Sequence, residues 1–284
     1  MSKRKQTGPA SSARAEHKSG EKPDRRQHRG HKHDSKARSG ARPGNPDPWL
    51  YGFHAVLGAL ANKARKLERL LITRETEAEL AREGLSLGQD LALSLEILTN
   101  EEIARLLPQG AVHQGIALKS AALPDLLLDE AVADTNLVVV LDQVTDPHNL
   151  GAILRSASVF GAGALIMTER HSPPMTGVVA KAASGALEHV KVAKITNLVR
   201  ALEELKELGF EVIGLDGEGE QVLTDAKLGP KVALVLGAEG AGLRRLTREH
   251  CDWLARLPAS GPMKSLNVSN AAAVALYEVA RRYA

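Results

Sequence analysis

Leu234-Val235-Leu236-Gly237-Ala238-Glu239-Gly240-Ala241-Gly242-Leu243 reads as an apolar strand running into a glycine turn that carries one carboxylate. Trp253 to Leu257 reads as a second strand, followed by Pro258 and a polar loop. Ser265-Leu266-Asn267-Val268-Ser269-Asn270 then opens an alanine-rich helix. Each segment runs strand, loop, helix and places polar groups at a strand's carboxyl end, where open α/β sheets bind ligands.

Working outward, Leu137-Val138-Val139-Val140-Leu141 is a continuous β-branched run, the pattern of a strand buried on both faces. Ala164–Met167, Val190–Val192, Phe210–Leu215 and Val232–Leu236 add strands. Helical periodicity falls on Leu150–Phe160, Val178–Ala186, Leu198–Leu208 and Val268–Arg282. This alternation predicts an α/β domain over residues 137–284, with a mostly parallel sheet covered by helices on both faces.

Residues 49–120 read as a smaller α/β unit. A short amphipathic helix over Tyr51–Leu60 precedes strands at Leu67–Ile72, Leu93–Leu98 and His113–Leu118. Helices fall at Glu75–Glu83 and from Thr99 to near Pro108, the latter opened by a capping box of Thr99 with Glu102. Residues 121–136 form a linker, with a helix expected over Asp125–Ala133. Residues 1–48 are rich in Lys, Arg, His, Gly, Ser and Pro and hold too little apolar surface to offset the entropy of ordering, so they read as a disordered tail.

The net charge of +3 over 284 residues conceals an asymmetry. The tail has 13 Lys and Arg against 5 Asp and Glu, a net of +8, and the remainder is at −5. Such a tail attracts phosphate backbones without reading sequence; a solubilising extension is the plainer alternative. A single cysteine, Cys251, excludes an internal disulfide framework and suits a reducing cytoplasm. No Cys/His cluster has zinc spacing, and no apolar run could span a bilayer. The acidic residues Glu16, Glu21, Asp24 and Asp34 argue against a mitochondrial transit peptide.

Taken singly, the polar residues leave their roles open. Gly237 to Gly242 follow neither the dinucleotide fingerprint nor a Walker loop; they form a tight turn, or a backbone cradle for a nucleotide or adenosyl group. Glu239 could orient a hydroxyl or an arginine, or simply stabilise a helix dipole. Asn149 stands where a helix would begin and could be its cap. Arg155 lies nearly two turns on among small and apolar residues, and its guanidinium needs solvent or an anion such as phosphate. Ser265, Asn267, Ser269 and Asn270 are all capping types, and four are more than one cap requires.

In combination, Asn149 to Arg155, Leu236-Gly237-Ala238-Glu239-Gly240 and Leu257-Pro258 through Asn270 resemble the three motifs of the SpoU, or TrmH, family of RNA ribose 2'-O-methyltransferases. Tyr51-Gly52 and His113-Gln114-Gly115-Ile116 extend the resemblance. They make the N-terminal unit look like the ribosomal-protein-like RNA-binding domain of bacterial 23S ribosomal RNA guanosine methyltransferases. Asp146-Pro147-His148-Asn149-Leu150-Gly151 and Leu246 to Asp252 are similar to that subgroup.

The resemblance implies the SPOUT fold, in which the C-terminal segment threads a deep trefoil knot, an exception to the usual avoidance of knots. It implies S-adenosylmethionine held by Leu236, Gly237, Leu257, Leu266 and Asn267. The implied catalytic set is Arg155 at the ribose hydroxyl and adjacent phosphate, with Asn149, Glu239, Ser265 and Asn267 positioning it and the RNA. It further implies a cytoplasmic homodimer in which Arg155 of one subunit acts beside the cofactor of the other, with ribosomal RNA as partner and no metal or membrane. A transfer-RNA ribose methyltransferase and a non-catalytic RNA-binding assembly factor are the alternatives. Aromatic residues make up only 3% of the chain, which argues against base stacking as the main grip.

Overall fold

The computed structural model describes residues 49–82, 84, 93–263 and 265–283. The expected disordered tail over residues 1–48, the end of the predicted second helix at Glu83, and Lys264 lie outside them.

The N-terminal lobe is a four-stranded sheet of β1 (Trp49–Tyr51), β2 (Leu67–Ile72), β3 (Ser94–Ile97) and β4 (Ile116–Ser120), in the order β1-β4-β2-β3. β4 runs antiparallel to both neighbours, whereas β2 and β3 are parallel. Helices α1 (Phe53–Ala61), α2 (Arg74–Arg82) and α3 (Asn100–Leu106) connect them. The Thr99–Glu102 capping box forms in both directions, the Thr99 hydroxyl accepting from the Glu102 amide and the Glu102 carboxylate from the Thr99 amide. Two expectations shift here. Trp49-Leu50-Tyr51 is a strand rather than the approach to a helix, because β4 supplies its hydrogen-bonding partner from more than sixty residues away. The strand expected from His113 begins at Ile116, because Gln114 and Gly115 take positive φ angles of 55° and 73° in a turn.

The C-terminal lobe contains α4 (Leu128–Val132), β5 (Leu137–Asp142), α5 (Pro147–Val159), β6 (Ala164–Thr168), α6 (Gly177–Ala183), β7 (Lys191–Ile195), α7 (Leu198–Glu207), β8 (Glu211–Leu215), β9 (Gln221–Val222), β10 (Val232–Gly237), α8 (Arg245–Glu249), β11 (Trp253–Arg256) and α9 (Val268–Ala280). Its seven strands are all parallel, in the order β7-β6-β5-β10-β8-β11-β9. Alternation sorts the side chains into two cores. Val139, Leu141, Leu165, Leu234 and Leu236 pack with α5, α6 and α9, while Val138, Val140, Ile166, Ala233 and Val235 pack with α4 and α7. The apolar run of β5 thus serves both faces, and all six of its residues are buried.

The lobes meet through small residues and one ion pair. A Cβ at Gly177 would overlap the Tyr51 ring, and one at Gly58 would lie 3.1 Å from the Gly185 Cα, so both positions need the bare backbone. The Arg65 guanidinium grips both oxygens of Glu188 at 2.8–3.1 Å, with side-chain exposures of 5% and 4%. Asn62 donates to the same carboxylate at 2.7 Å, and Arg65 also donates to the Ala121 carbonyl. A buried pair so fully hydrogen-bonded is costly to break, about 3–5 kcal/mol when one partner is removed.

Candidate active site

The carboxyl end of β10 carries the glycine turn. Ala238 and Gly242 exchange two backbone hydrogen bonds, at 3.1 and 2.8 Å, and close a small loop in which Gly240 and Gly242 take left-handed φ angles of 78° and 67°. Gly237 ends the strand so close to this loop that a Cβ there would overlap the backbone of Gly242 and Leu243. The turn is therefore tight, and Glu239, Gly240 and Ala241 in it are exposed.

Beyond the turn lies a cavity of about 650 Å³. Leu236, Gly237, Glu239, Leu257, Ser265 and Leu266 all line it, with Pro258, Met263, Asp216 and Glu218. Two loops widely separated in sequence meet here because β8 lies between β10 and β11, so the carboxyl ends of those strands open to the same side. The volume is in the range of small-molecule sites. The apolar side chains suit a flat aromatic base and the carboxylates suit hydroxyl or ammonium groups. Gly237 also lines the cavity, and its missing side chain lets the Gly242–Leu243 backbone close against it. This donor set fits an adenosyl amino acid.

At the rim, three of the nominated side chains form one cluster. Asn149 Nδ2 donates to Glu239 Oε2 at 3.2 Å, and Asn267 Nδ2 donates to Glu239 Oε1 and to Asn149 Oδ1, both at 3.1 Å. Asn267 Oδ1 accepts from the Ser269 amide at 2.9 Å, the Ser269 hydroxyl at 2.6 Å and the Asn270 amide at 3.4 Å. Asn267 is thus the N-cap of α9 and at the same time a strut for Glu239. Its bonds on both ends fix which way the amide faces.

Asn149 is not a cap. Asp146 caps α5, accepting from the His148 amide at 2.9 Å, with Pro147 in the first helical position. That leaves Asn149 inside the first turn, 7% exposed and turned to Glu239. Glu239, for its part, accepts two amide hydrogen bonds rather than facing a helix end.

Arg155 stands apart from this cluster. It is exposed on α5 and, among the described residues, has neither a hydrogen bond nor an ion pair. Six residues from Asn149 it points about 120° away around the helix. On the same outward face, Val159 is 70% exposed, and Tyr277 of α9 meets the Phe160 ring edge-on at 5.9 Å.

Sequence reasoning missed two ion pairs. Asp142, fully buried at the end of β5, accepts from the Arg244 amide at 3.0 Å and from its Nε at 2.6 Å. Asp216 pairs with Arg248 at 2.7 Å on the cavity wall. Asp142 is legible only as a carboxylate ending an all-apolar strand, a position that demands a partner. Cys251 is largely buried, and burial pushes its thiol up to about 12. Among the described residues no group of three or more His, Cys, Asp or Glu could hold a metal, and no helix is long and apolar enough to cross a membrane.

Comparison with known proteins gives a consistent picture. Residues 136–277 match the model of the SpoU rRNA methylase family, and residues 49–126 match that of RNA 2'-O ribose methyltransferase substrate binding. The chain is 41% identical over 238 residues to the 23S rRNA (guanosine-2'-O-)-methyltransferase RlmB of Ralstonia nicotianae, covering 82% of this chain and 95% of that one. It is 40% identical over 241 residues to an uncharacterized tRNA/rRNA methyltransferase of Synechocystis, again over 82% of this chain but only 62% of the relative. Among solved structures, an AdoMet-bound rRNA methyltransferase of Sinorhizobium meliloti superposes with a TM-score of 0.67 at 25% identity, over 83% of this chain and 87% of that one.

Proposed function

Because the chain belongs to the SpoU rRNA methylase family, we propose that it transfers a methyl group from S-adenosylmethionine to the ribose 2'-hydroxyl of a guanosine in 23S ribosomal RNA. The observation that carries this reading is the convergence of Leu236, Gly237, Leu257, Ser265 and Leu266 on one cavity, with Asn149, Glu239 and Asn267 clustered at its rim.

Bound S-adenosylmethionine supplies an electrophilic methyl group on a sulfonium, which already carries the positive charge a metal would otherwise provide. Leu236, Gly237, Leu257 and Leu266 line the cavity and would hold the adenosyl group there. A ribose hydroxyl is a poor nucleophile at neutral pH, so its alignment and the electrostatics around its proton decide the rate. Arg155 is the residue that meets the hydroxyl and the neighbouring phosphate. Asn149, Glu239, Ser265 and Asn267 hold the ribose in register. The self-satisfied amide cluster leaves Glu239 fixed in place, which suits a positioning role.

Since Arg155 stands away from the cluster within one chain, the reading requires a second subunit to bring it there. The exposed apolar residues Val159, Val274 and Tyr277 on α5 and α9 support a homodimer through this face. The chain beyond β11 leads into α9, which packs against α5 and β10, an arrangement that supports the knotted threading. Residues 49–120 serve as the RNA-gripping domain, residues 121–136 as linker, and the basic residues 1–48 add phosphate contacts. The compartment this activity requires is the cytoplasm.

Mapping 2'-O-methyl groups on 23S rRNA with and without the purified protein tests the proposal, alongside calorimetry with S-adenosylmethionine. Methylation confined to transfer RNA would replace the substrate; absence of cofactor binding would defeat the enzyme reading.

A further inference from the structure

A second cavity, of about 490 Å³, opens at the same carboxyl edge of the large sheet, but over β5, β6 and β7 rather than over β10 and β11. Its walls carry Arg170, His171, Arg244 and Arg245, and no carboxylate lines it. Arg170 and His171 are exposed, and among the described residues neither side chain has a hydrogen-bonding or ionic partner. Arg244 is anchored to buried Asp142 and Arg245 to Glu249, so those two charges are partly neutralised and held in position. The N-terminus of α7, capped by Asn197, adds the positive end of a ten-residue helix. A further observation comes from Thr247, which lines the cavity. It is 1% exposed, yet its hydroxyl has no hydrogen-bonding partner among the described residues. A buried hydroxyl left without a partner is costly, and this one leaves an unsatisfied polar atom in the cavity wall.

Position narrows the ligand. Asp142 lies opposite Gly237 in the parallel register of β5 and β10, and it grips Arg244. The basic cavity therefore begins one strand away from the turn that borders the cofactor cavity. A polyanion whose reacting sugar sits at the Asn149–Glu239–Asn267 cluster would extend along the sheet edge to either side.

We propose that the cavity lined by Gln143, Arg170, His171, Asn197, Arg245 and Thr247 seats a phosphodiester of the RNA beside the nucleotide being methylated, an assignment that rests on the reading of the chain as an RNA 2'-O-methyltransferase. Arg170 supplies the free charge, His171 an unpaired imidazole beside it, and the α7 N-terminus neutral donors. The contact is to backbone and carries register rather than sequence.

The test uses the full chain, 23S rRNA transcript and potassium chloride titrations. For the double variant Arg170→Ala with His171→Ala, binding of labelled transcript weakens several-fold, and the log–log salt slope becomes shallower by about 1, as for the loss of one phosphate contact. KM for RNA rises while kcat at saturating RNA and the affinity for S-adenosylmethionine stay unchanged. Arg170→Lys with His171 intact restores most of the affinity. Unchanged RNA affinity, KM and salt slope in the double variant would overturn the subsite. So would a loss confined to binding of inorganic phosphate, since that assigns a free anion. The RNA-binding arm needs no turnover, so it is readable even if the protein fails to bind S-adenosylmethionine, the separate result that would defeat the enzyme reading.

Discussion

The glycine turn after β10 and the outward face of α5 carry the two residues on which the proposed activity depends most, and they are built in opposite ways. Gly237 is locked among backbone atoms of its own chain, beside a cavity lined by that chain alone. Arg155 stands in solvent with no partner among the described residues, beside apolar side chains that are equally exposed. The contrast separates two tasks. On the proposed reading, binding the cofactor needs one folded chain, whereas aligning the hydroxyl needs two.

The sharpest way to break that separation is Arg155→Ala. Removing a preorganised cationic donor from a reacting centre typically lowers kcat by about 10²–10³. Calorimetry should find cofactor affinity unchanged, and a full loss of binding would place Arg155 at the cofactor instead. Gly237→Val does the reverse. Forcing a side chain against the Gly242 backbone displaces the turn at a stability cost of about 1–3 kcal/mol, visible as a lower Tm, and calorimetry should find cofactor binding weakened while RNA binding by anisotropy persists. Mixing the two variants, at a cofactor concentration too low to fill Gly237→Val, sharpens the comparison further. Random exchange of subunits should restore about a quarter of wild-type activity, because each mixed dimer has one site with an intact Gly237 and an Arg155 from its partner. Activity that stays at the level of the single variants would mean that Arg155 acts within its own chain.

Asn267→Ala is expected to have a smaller effect. Losing the α9 cap costs about 1 kcal/mol, visible as a lower Tm, and frees Glu239 from one of its two amide donors. Asn267→Ser keeps a capping group but not the strut, so its Tm recovers while activity does not. Deleting residues 1–47 has the least effect on chemistry: kcat holds, and RNA affinity falls with a shallower salt slope. An unchanged slope would leave the tail a solubilising extension.

How much of this was legible in the sequence depended on whether the partner of each residue was near or far. β5 was readable because both of its faces are buried by the same apolar run, and the α3 cap because Thr99 and Glu102 satisfy each other within one turn. Asn149 was read as a possible cap because Asp146 and Asn149 are both capping types. Pro147 was the signal that decides between them, since proline favours the first helical position and so makes Asp146 the cap. α8 and β9 escaped notice because five and two residues show no period. The meeting of the Gly237 turn with Leu257 and Leu266 follows from β8 lying between β10 and β11, which no local pattern encodes. The motifs located the site; the strand order assembled it.

The clamp of Arg65 on Glu188 has a consequence for how a target is chosen. Two buried charges, a shared amide and a carbonyl fix the N-terminal lobe to the segment that follows α6, leaving little freedom to swivel at that point. If the first lobe grips RNA as proposed, a protein so braced would work as a caliper: only a ribose at one set span and bearing would reach the methyl donor. With few aromatic side chains to read bases, selection by span would let a single nucleotide be modified without its identity being inspected. Shortening Arg65 would then loosen the gauge, and the expected symptom is methylation spread over neighbouring riboses rather than methylation lost.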